Sequence, residues 1–262
     1  MNKKIKGKNY LYIVFSFGKK IFLVDLLEGF IDIHNHILPG IDDGAKTSAD
    51  SLEMIKALHN LGFDGLIHTP HIMSGVHPNT PETIKRAEEN LSAHLDSNDL
   101  MIKRNIAAEH MIDENFNELL EKGGAMPLAQ NYLLVEMSYL QASANLEDAL
   151  QLSVKKGLYP ILAHPERYLY YHKKPDYFRR LKKTERVFMQ LNLLALGGYY
   201  GSQVQKMAYT LLDMNIYDFA ATDAHHMRHI NALKKIQLKK KDLPKIENII
   251  ETTIGSFYNR AF

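Results

Sequence analysis

Short apolar runs alternate along the chain with stretches whose apolar residues recur at helical spacing. The run Phe30-Ile-Asp-Ile-His34 reads as a first strand. From Ser48 to Leu61 the apolar residues Leu52, Ile55, Ala57, Leu58 and Leu61 follow a period near 3.6, which predicts a helix with Ser48 as its N-cap and Gly62 as its stop. The second strand is Gly65–His68. Thr80-Pro81-Glu82 supplies a hydroxyl cap and a first-turn proline for a helix running to about Asp96. The unit then repeats. Strands are predicted at Met101–Ala108, Tyr132–Glu136, Tyr159–Ala163, Val187–Leu191 and Ile216–Ala221. The intervening helices fall at Glu114–Lys122, Leu146–Lys156, Asp176–Lys183 and Gln203–Met214, and two further helical stretches close the chain.

Seven strands, each followed by a helix, favour parallel pairing through right-handed crossovers. The expected fold is α/β, a distorted (β/α)7 TIM-like barrel forming a single domain over residues 30–262. The first strand is not followed by a Gly-rich phosphate loop, which weakens a dinucleotide-binding alternative. Residues 1–29 form a leader. Its apolar run Tyr10–Phe17 follows a basic stretch but is far shorter than the ~20 residues that span a bilayer. No small-residue cleavage site follows it. The leader is expected to pack on the domain or lie against a surface, with membrane contact at most peripheral, in a cytoplasmic protein.

Composition narrows the chemistry. The 262 residues are 45% hydrophobic and 24% charged, an ordinary globular balance. There is no Cys, so disulfides, Cys zinc sites, iron–sulfur clusters and thiol nucleophiles are all excluded. Any metal must be held by nitrogen and oxygen, and 13 His supply the nitrogen. A net charge of +2 gives no overall field for nucleic acid, and no basic, aromatic groove is evident. Lysines cluster locally at Lys3, Lys4, Lys6 and Lys8 and again at Lys234, Lys235, Lys239, Lys240 and Lys241, where a solvated surface is the simplest reading.

The C-terminal ends of the strands carry the chemistry, as a parallel barrel requires. They deliver His34-Asn-His36, His68-Thr-Pro-His71, Glu109-His110, Glu136, His164 and Thr222-Asp223-Ala-His225, while the sixth strand offers Asn192. In His34-x-His36 the period-two alternation of a strand puts both imidazoles on one side. Carboxylates at the ends of buried strands are costly unless a cation cancels their charge. Mixed His and carboxylate ligation suits manganese, iron or zinc. His59, His77, His94, His172 and His229 are expected at the surface, His68 in the core, and His110 and His226 beside the ligands. The tyrosines from Tyr168 to Tyr171 read as a packed loop.

Seven stretches carry a resemblance in the right order: Ile31-Asp-Ile-His-Asn-His36, Pro39-Gly-Ile-Asp-Asp-Gly44, Thr69-Pro-His71, Ala108-Glu109, Leu134-Val-Glu136, Ala163-His-Pro-Glu-Arg-Tyr168 and Thr222-Asp-Ala-His225. They resemble the polymerase and histidinol phosphatase (PHP) family, closest to its capsule-type manganese-dependent protein tyrosine phosphatases. The resemblance implies up to three metal ions, Mn2+ with Fe or Zn as alternatives. Their ligands would be His34, His36, Asp43, His71, Glu109, Glu136, His164, Asp223 and His225. It also implies a phosphate-holding Arg167, with Arg228 as a second candidate. The implied reaction is hydrolysis of phosphotyrosine by metal-activated water, without a covalent phosphoenzyme. The implied partner is a phosphotyrosine protein, a bacterial tyrosine kinase of capsule or exopolysaccharide assembly. Two alternatives remain at this stage: a small-molecule phosphoesterase such as a histidinol phosphatase, and a catalytically silent barrel that binds a kinase.

Overall fold

The computed structural model describes residues 20–96 and 102–262, so the apolar run Tyr10–Phe17 lies outside the described residues, as does Met101. The strands are β1 (Ile21–Phe22), β2 (Ile31–Asp32), β3 (Gly65–His68), β4 (His71–Ile72), β5 (Lys103–Ile106), β6 (Glu109–Met111), β7 (Tyr132–Glu136), β8 (Tyr159–Ala163), β9 (Phe188–Asn192), β10 (Phe219–Ala221) and β11 (Gln237–Leu238). The helices are α1 (Ser48–His59), α2 (Pro81–Asp96), α3 (Phe116–Glu121), α4 (Leu146–Lys155), α5 (Asp176–Glu185), α6 (Leu193–Leu196), α7 (Ser202–Asp213), α8 (Met227–Leu233) and α9 (Leu243–Phe257).

Parallel pairing follows the order β10-β9-β8-β7-β6-β4 in one sheet and β2-β3-β5 in another. Two strands change sheet midway. β3 passes through Thr69-Pro70, where proline lacks the N–H a ladder needs, and resumes as β4. β5 likewise breaks at Ala107-Ala108 and resumes as β6, so the predicted third strand is two segments rather than one. Backbone bonds span the breaks: Ala107 N–H donates to His68 O (2.8 Å) and Glu109 N–H to Pro70 O (3.1 Å). The ring closes where Asp223 N–H donates to His34 O (2.8 Å) and His36 N–H to Ala224 O (2.9 Å). Beneath that seam the Asp32 carboxylate accepts both the N–H (2.9 Å) and the hydroxyl (2.6 Å) of Thr222. The fold is therefore the expected distorted seven-stranded barrel.

Its interior is layered. Ile31, Ile33, Ile67, Ala107, Leu134, Ile161, Phe219 and Ala221 fill the lower barrel, and Phe257 at the end of α9 joins them. Two residues further along the same strands come Glu109, Glu136 and Asp223, so the alternation that buries the apolar plug also raises carboxylates to the upper rim. A second, larger apolar cluster lies between the strands and the helices and includes Leu23 and Leu27 from the segment before β2. The short pair β1–β11, with Ile21 opposite Leu238, ties that segment to the C-terminal part of the chain.

Helix α1 starts from Thr47, not Ser48. Thr47 Oγ1 accepts from Asp50 N–H (3.2 Å) while the Asp50 carboxylate accepts from Thr47 N–H (2.9 Å), a complete capping box one residue earlier than expected. Past β8, Tyr168 is fully buried, and its hydroxyl donates to Ala163 O (3.1 Å) and accepts from Met137 N–H (3.0 Å). One phenol thus fastens the turn after β8 to the end of β7. Tyr168→Phe leaves a buried N–H without its acceptor, which should lower stability by about 1–3 kcal/mol. Urea unfolding followed by circular dichroism should show a lower midpoint at an unchanged slope.

Candidate metal centre

The upper rim gathers the predicted ligands in one place. His34 Nε2 lies 3.1 Å from Glu109 Oε2 and 3.4 Å from Asp223 Oδ1. His36 Nε2 lies 3.3 Å and 3.4 Å from the same two oxygens. His71 Nδ1 sits 3.1 Å from Glu109 Oε2 and 3.0 Å from Glu136 Oε1. His164 Nε2 is 3.2 Å from Glu109 Oε1. Asp43 Oδ1 stands 3.5 Å from His71 Nε2 and 3.3 Å from His225 Nε2. Overlapping sets result: His36, Asp43, His71 and His225; His34, His36 and Asp223; His34, Glu109 and His164; His71, Glu109 and Glu136. Each set has donor atoms within 4.8 Å of one another, and Glu109 belongs to two of them, as a bridging carboxylate would.

The local backbone explains how these side chains converge. His164 (φ 35°) and Asp223 (φ 51°) both take the left-handed conformation, which is unfavourable for residues with a Cβ and recurs at functional sites. Each turns the chain sharply as a strand ends. In the Asp42-Asp43-Gly44 loop, a Cβ on Gly44 would come within 1.9 Å of His36 O. Only glycine lets that loop close over the His34-Asn35-His36 segment. Asp42 then reaches His36 Nδ1 (2.8 Å), leaving Asp43 to face the cavity.

The outward nitrogens of the histidines are also held. Gln190 Oε1 lies 3.0 Å from His34 Nδ1, and the Asp223 carbonyl 2.9 Å from His225 Nδ1. Such partners fix the tautomer and orientation of a metal-ligating imidazole. His229 Nδ1 accepts the N–H of His225 (3.1 Å) and is buried, contrary to the expected surface position, because α8 folds back beneath the rim. Burial pushes the His229 imidazole down to about 3. His77 is likewise not a plain surface residue. It stacks on His71 with ring centroids 5.4 Å apart and lines the cavity. His59 is exposed, and His94 and His172 are half-buried. His68 is buried in the core, 2.7 Å from Asn35 Oδ1. His110 serves the backbone, donating to Leu134 O (2.9 Å) and accepting from Met126 N–H (3.1 Å). His226 packs on His229, with ring centroids 3.9 Å apart, instead of contacting a ligand.

Electrostatics shows what the site lacks. Burial alone would raise Glu109 and Asp223, yet His34 and other neighbouring histidines hold both well below the usual carboxylate range. Burial alone would lower His34 and His36, yet Glu109 and Asp223 lift the first, and Asp42 lifts the second well above its ordinary value. The carboxylates draw positive charge from whatever is near. Even so, His71 Nδ1, both oxygens of Glu136, His164 Nδ1 and Asp223 Oδ1 are buried without a hydrogen-bond partner. Buried polar atoms without a hydrogen bond are costly, and the ion pairs around them offset that cost only in part. Nitrogen and oxygen donors converging on one space, with partnerless atoms among them, fit bound cations.

Arg167 stands beside the cluster. Its Nη1 donates to Asp223 Oδ2 (2.6 Å), and its guanidinium carbon lies 4.3 Å from the Tyr139 ring centroid and 4.2 Å from that of Tyr200. Asn192 Nδ2 donates to the same Asp223 oxygen (3.0 Å). The sequence carries no local signal for Tyr139 or Tyr200, since their role depends on packing against Arg167. Arg228 is exposed on α8 and is not among the residues that line the cavity. That cavity measures about 1120 Å3 and extends from Asp43, His71 and Arg167 out to Val76 and the 138–145 loop.

The sequence model for the family described as capsular polysaccharide synthesis, CpsB/CapC, matches residues 30–244. The chain is 32% identical over 202 residues to the tyrosine-protein phosphatase YwqE of Bacillus subtilis, covering 77% of this chain and 79% of that one. It is 27% identical over 213 residues to the tyrosine-protein phosphatase CpsB of Streptococcus pneumoniae, covering 75% and 83% respectively. The fold is similar to that in the crystal structures of YwqE and CpsB, described as unique metal-dependent tyrosine phosphatases. There the TM-score is 0.77 at 27% identity, over 88% of this chain and 95% of the other. The phosphotriesterase homology protein of Escherichia coli shares the fold alone, with a TM-score of 0.50 at 12% identity.

Asp42 touches a ligand without facing the cavity, so it separates orientation from ligation. Asp42→Asn removes the negative charge behind His36 and should weaken metal binding about 10–100-fold while the fold persists. Titration of the metal-stripped protein with Mn2+ by calorimetry would show this as a raised Kd.

Proposed function

Because the chain belongs to the capsular polysaccharide synthesis CpsB/CapC family, we propose that it is a metal-dependent phosphatase that hydrolyses phosphotyrosine in proteins. The observation that carries the reading is the joining of two features at one cavity: a converging His and carboxylate cluster with orphaned donor atoms, and a caged Arg167 whose ion-pair partner, Asp223, belongs to that cluster. The metal would be held by His34, His36, Asp43, His71, Glu109, Glu136, His164, Asp223 and His225. Sulfur-free His and carboxylate ligation suits manganese, iron or zinc, and manganese follows from the family resemblance. When bound, the ions supply Lewis acidity towards phosphoryl oxygens and lower the pKa of water.

The chain's own residues do the rest. Arg167 is fixed by Asp223 and by the faces of Tyr139 and Tyr200, which leaves its remaining N–H donors oriented for phosphoryl oxygens at no further cost in side-chain order. Asp42 and Gln190 hold His36 and His34 in place, and Gly44 keeps the Asp43 loop closed over them. With no Cys in the chain, a thiolate attack on phosphorus is unavailable. A tyrosine leaving group, with a pKa of about 10, departs with less protonation than an alkoxide needs.

The outer edge of the cavity favours a protein substrate over a small phosphoester. Exposed Leu140 and Val76 at its outer edge give apolar area to residues flanking a phosphotyrosine. The family's capsular context makes a tyrosine kinase of polysaccharide assembly the proposed partner and the cytoplasm the proposed compartment. Among the described residues no helix is long and apolar enough to cross a membrane.

Purified protein loaded with Mn2+ should release phosphate from a phosphotyrosine peptide faster than from histidinol phosphate or a phosphodiester. Faster turnover of histidinol phosphate would sink the substrate assignment. His34→Ala combined with His36→Ala should reduce hydrolysis to background, and undiminished activity would refute the metal mechanism. Arg167→Ala should lower kcat/KM by about 10²–10³ with metal content unchanged by elemental analysis.

A further inference from the structure

His34 and His36 need a restraint that ligation itself does not supply. Their Nε2 atoms lie 3.2 Å apart, with the Nδ1 atoms turned to Gln190 and Asp42. Metal ligation requires neutral imidazoles. In that state the two Nε2 lone pairs face each other and the oxygens of Glu109 and Asp223, an arrangement that a cation favours and that otherwise drives the rings apart. The segment must therefore be held from outside. On one side backbone alone holds it, through Asp223 N–H to His34 O and His36 N–H to Ala224 O. On the other side, β2 and β3 pair only as far as Asp32 and Leu66, short of both ligands.

Asn35 supplies what the ladder does not. Period-two alternation turns its side chain away from the two ligands. Its polar groups are all bonded to one short stretch of the neighbouring strand. The Asn35 N–H donates to Thr69 Oγ1 (3.1 Å), and its carbonyl accepts from Thr69 N–H (2.9 Å). Its Nδ2 donates to Ile67 O (3.1 Å), and its Oδ1 lies 2.7 Å from His68 Nδ1. Asn35, His68 and Thr69 are fully buried, so solvent does not compete for these bonds. The Ile67 carbonyl can accept only from the amide NH2, which leaves Oδ1 facing the imidazole, and His68 must donate from Nδ1. Burial and the Arg104 guanidinium push His68 down to about 3, so the ring stays neutral and carries a single N–H. Its Nε2 is buried without a hydrogen-bond partner, 4.0 Å from Glu88 Oε2 and beyond hydrogen-bond reach. A core imidazole with one nitrogen unsatisfied is costly. Its one bond goes to the residue between the two ligands.

We propose that His68 is a positioning residue for the metal centre, acting through Asn35 to hold the His34-Asn35-His36 segment in place for a shared cation, an inference that rests on the metal-dependent reading above. An apolar residue of similar size would fill the space of the ring but leave Asn35 Oδ1 buried with nothing to accept. Asn35 would then be free to turn, and the ligands on either side of it would lose their restraint towards β3. Removing an outer partner of this kind costs about 10–100-fold in metal affinity.

The test is calorimetric titration of the metal-stripped full chain with Mn2+, beside urea unfolding of the same samples. His68→Leu should raise the Kd for Mn2+ about tenfold or more. His68→Asn places an amide donor near the position of Nδ1 but leaves part of the ring's volume empty. It should bring the Kd back to within about threefold of wild type, whatever its urea midpoint. A role in packing alone gives the reverse order, with the smaller side chain the worse. Wild-type affinity in His68→Leu, or equal weakening in both variants, would overturn the proposal. Should His68→Leu not fold, the wild-type protein decides. By linkage, a cation favoured by the clamp must tighten it, so loading with diamagnetic Zn2+ should slow solvent exchange of the His68 Nδ1 proton in NMR spectra. Unchanged exchange, or a proton on Nε2 instead, would overturn the proposal too. A wild-type chain that binds no Mn2+ would refute the metal reading itself, and the proposal with it.

Discussion

Everything at the barrel mouth depends on one constraint: a carboxylate taken out of water must be matched by positive charge. Glu109, Glu136 and Asp223 are almost wholly buried, and each sits two residues above an apolar plug residue on its own strand. The strand alternation that packs Ala107, Leu134 and Ala221 into the lower barrel turns these carboxylates to the floor of the cavity, where they are almost wholly buried. Histidines partly answer them, which is why His34 and His71 hold protons more tightly than free imidazole despite burial, as His36 does chiefly through Asp42. A divalent ion would answer them better, because it would replace several imidazolium contacts with direct bonds and satisfy the atoms left without hydrogen-bond partners. Metal affinity and fold stability are therefore linked.

The rim is also where the backbone is least regular. β3 and β5 both break before reaching it, at Thr69-Pro70 and Ala107-Ala108. His164 and Asp223 enter left-handed turns, and Gly44 permits a contact no other residue could make. Irregular backbone of this kind costs about 1–3 kcal/mol per strained residue and persists only where the surrounding structure enforces it. The regular lower barrel, plugged by Phe257 and Phe219, provides that enforcement. Tyr168 adds to it by pinning the segment after His164 to β7.

Much of this was legible before the structure, for a physical reason. A barrel strand exposes its chemistry at one end, so His34-x-His36, Glu109, Glu136 and Asp223-x-His225 announce a rim once the strands are located by periodicity. Boundaries were less secure. The N-cap moved from Ser48 to Thr47 because the capping box needs Asp50 at its third position, and both hydroxyls satisfy the simpler rule. What sequence could not show is whatever depends on distant packing. His229 is buried because α8 folds back towards His225, and His77 reaches His71 only through the loop after β4. The pairing of β1 with β11 joins residues more than two hundred positions apart, over segments too short to have a period. Arg228 illustrates the opposite failure: a plausible position in the sequence, but a side chain on the exposed face of its helix.

Asp223 joins the two halves of the site in a way no single motif conveys. Its Oδ1 faces His34, His36 and His225 and has no hydrogen-bond partner, while its Oδ2 accepts from Arg167 and Asn192. One oxygen is available to a cation and the other is committed to the arginine. Asp223 would thus link a cation held at Oδ1 to the Arg167 guanidinium held at Oδ2 through one carboxylate. A phosphoryl group bound there would meet positive charge already in place, which is the condition under which electrostatic stabilisation is most effective. Tyr139 and Tyr200 complete the arrangement by each placing a ring against the guanidinium, 4.3 and 4.2 Å from its carbon, which restrains its movement. Weakening Asp223 would therefore cost the site twice, once in the charge that holds a cation and once in the geometry that aims the arginine.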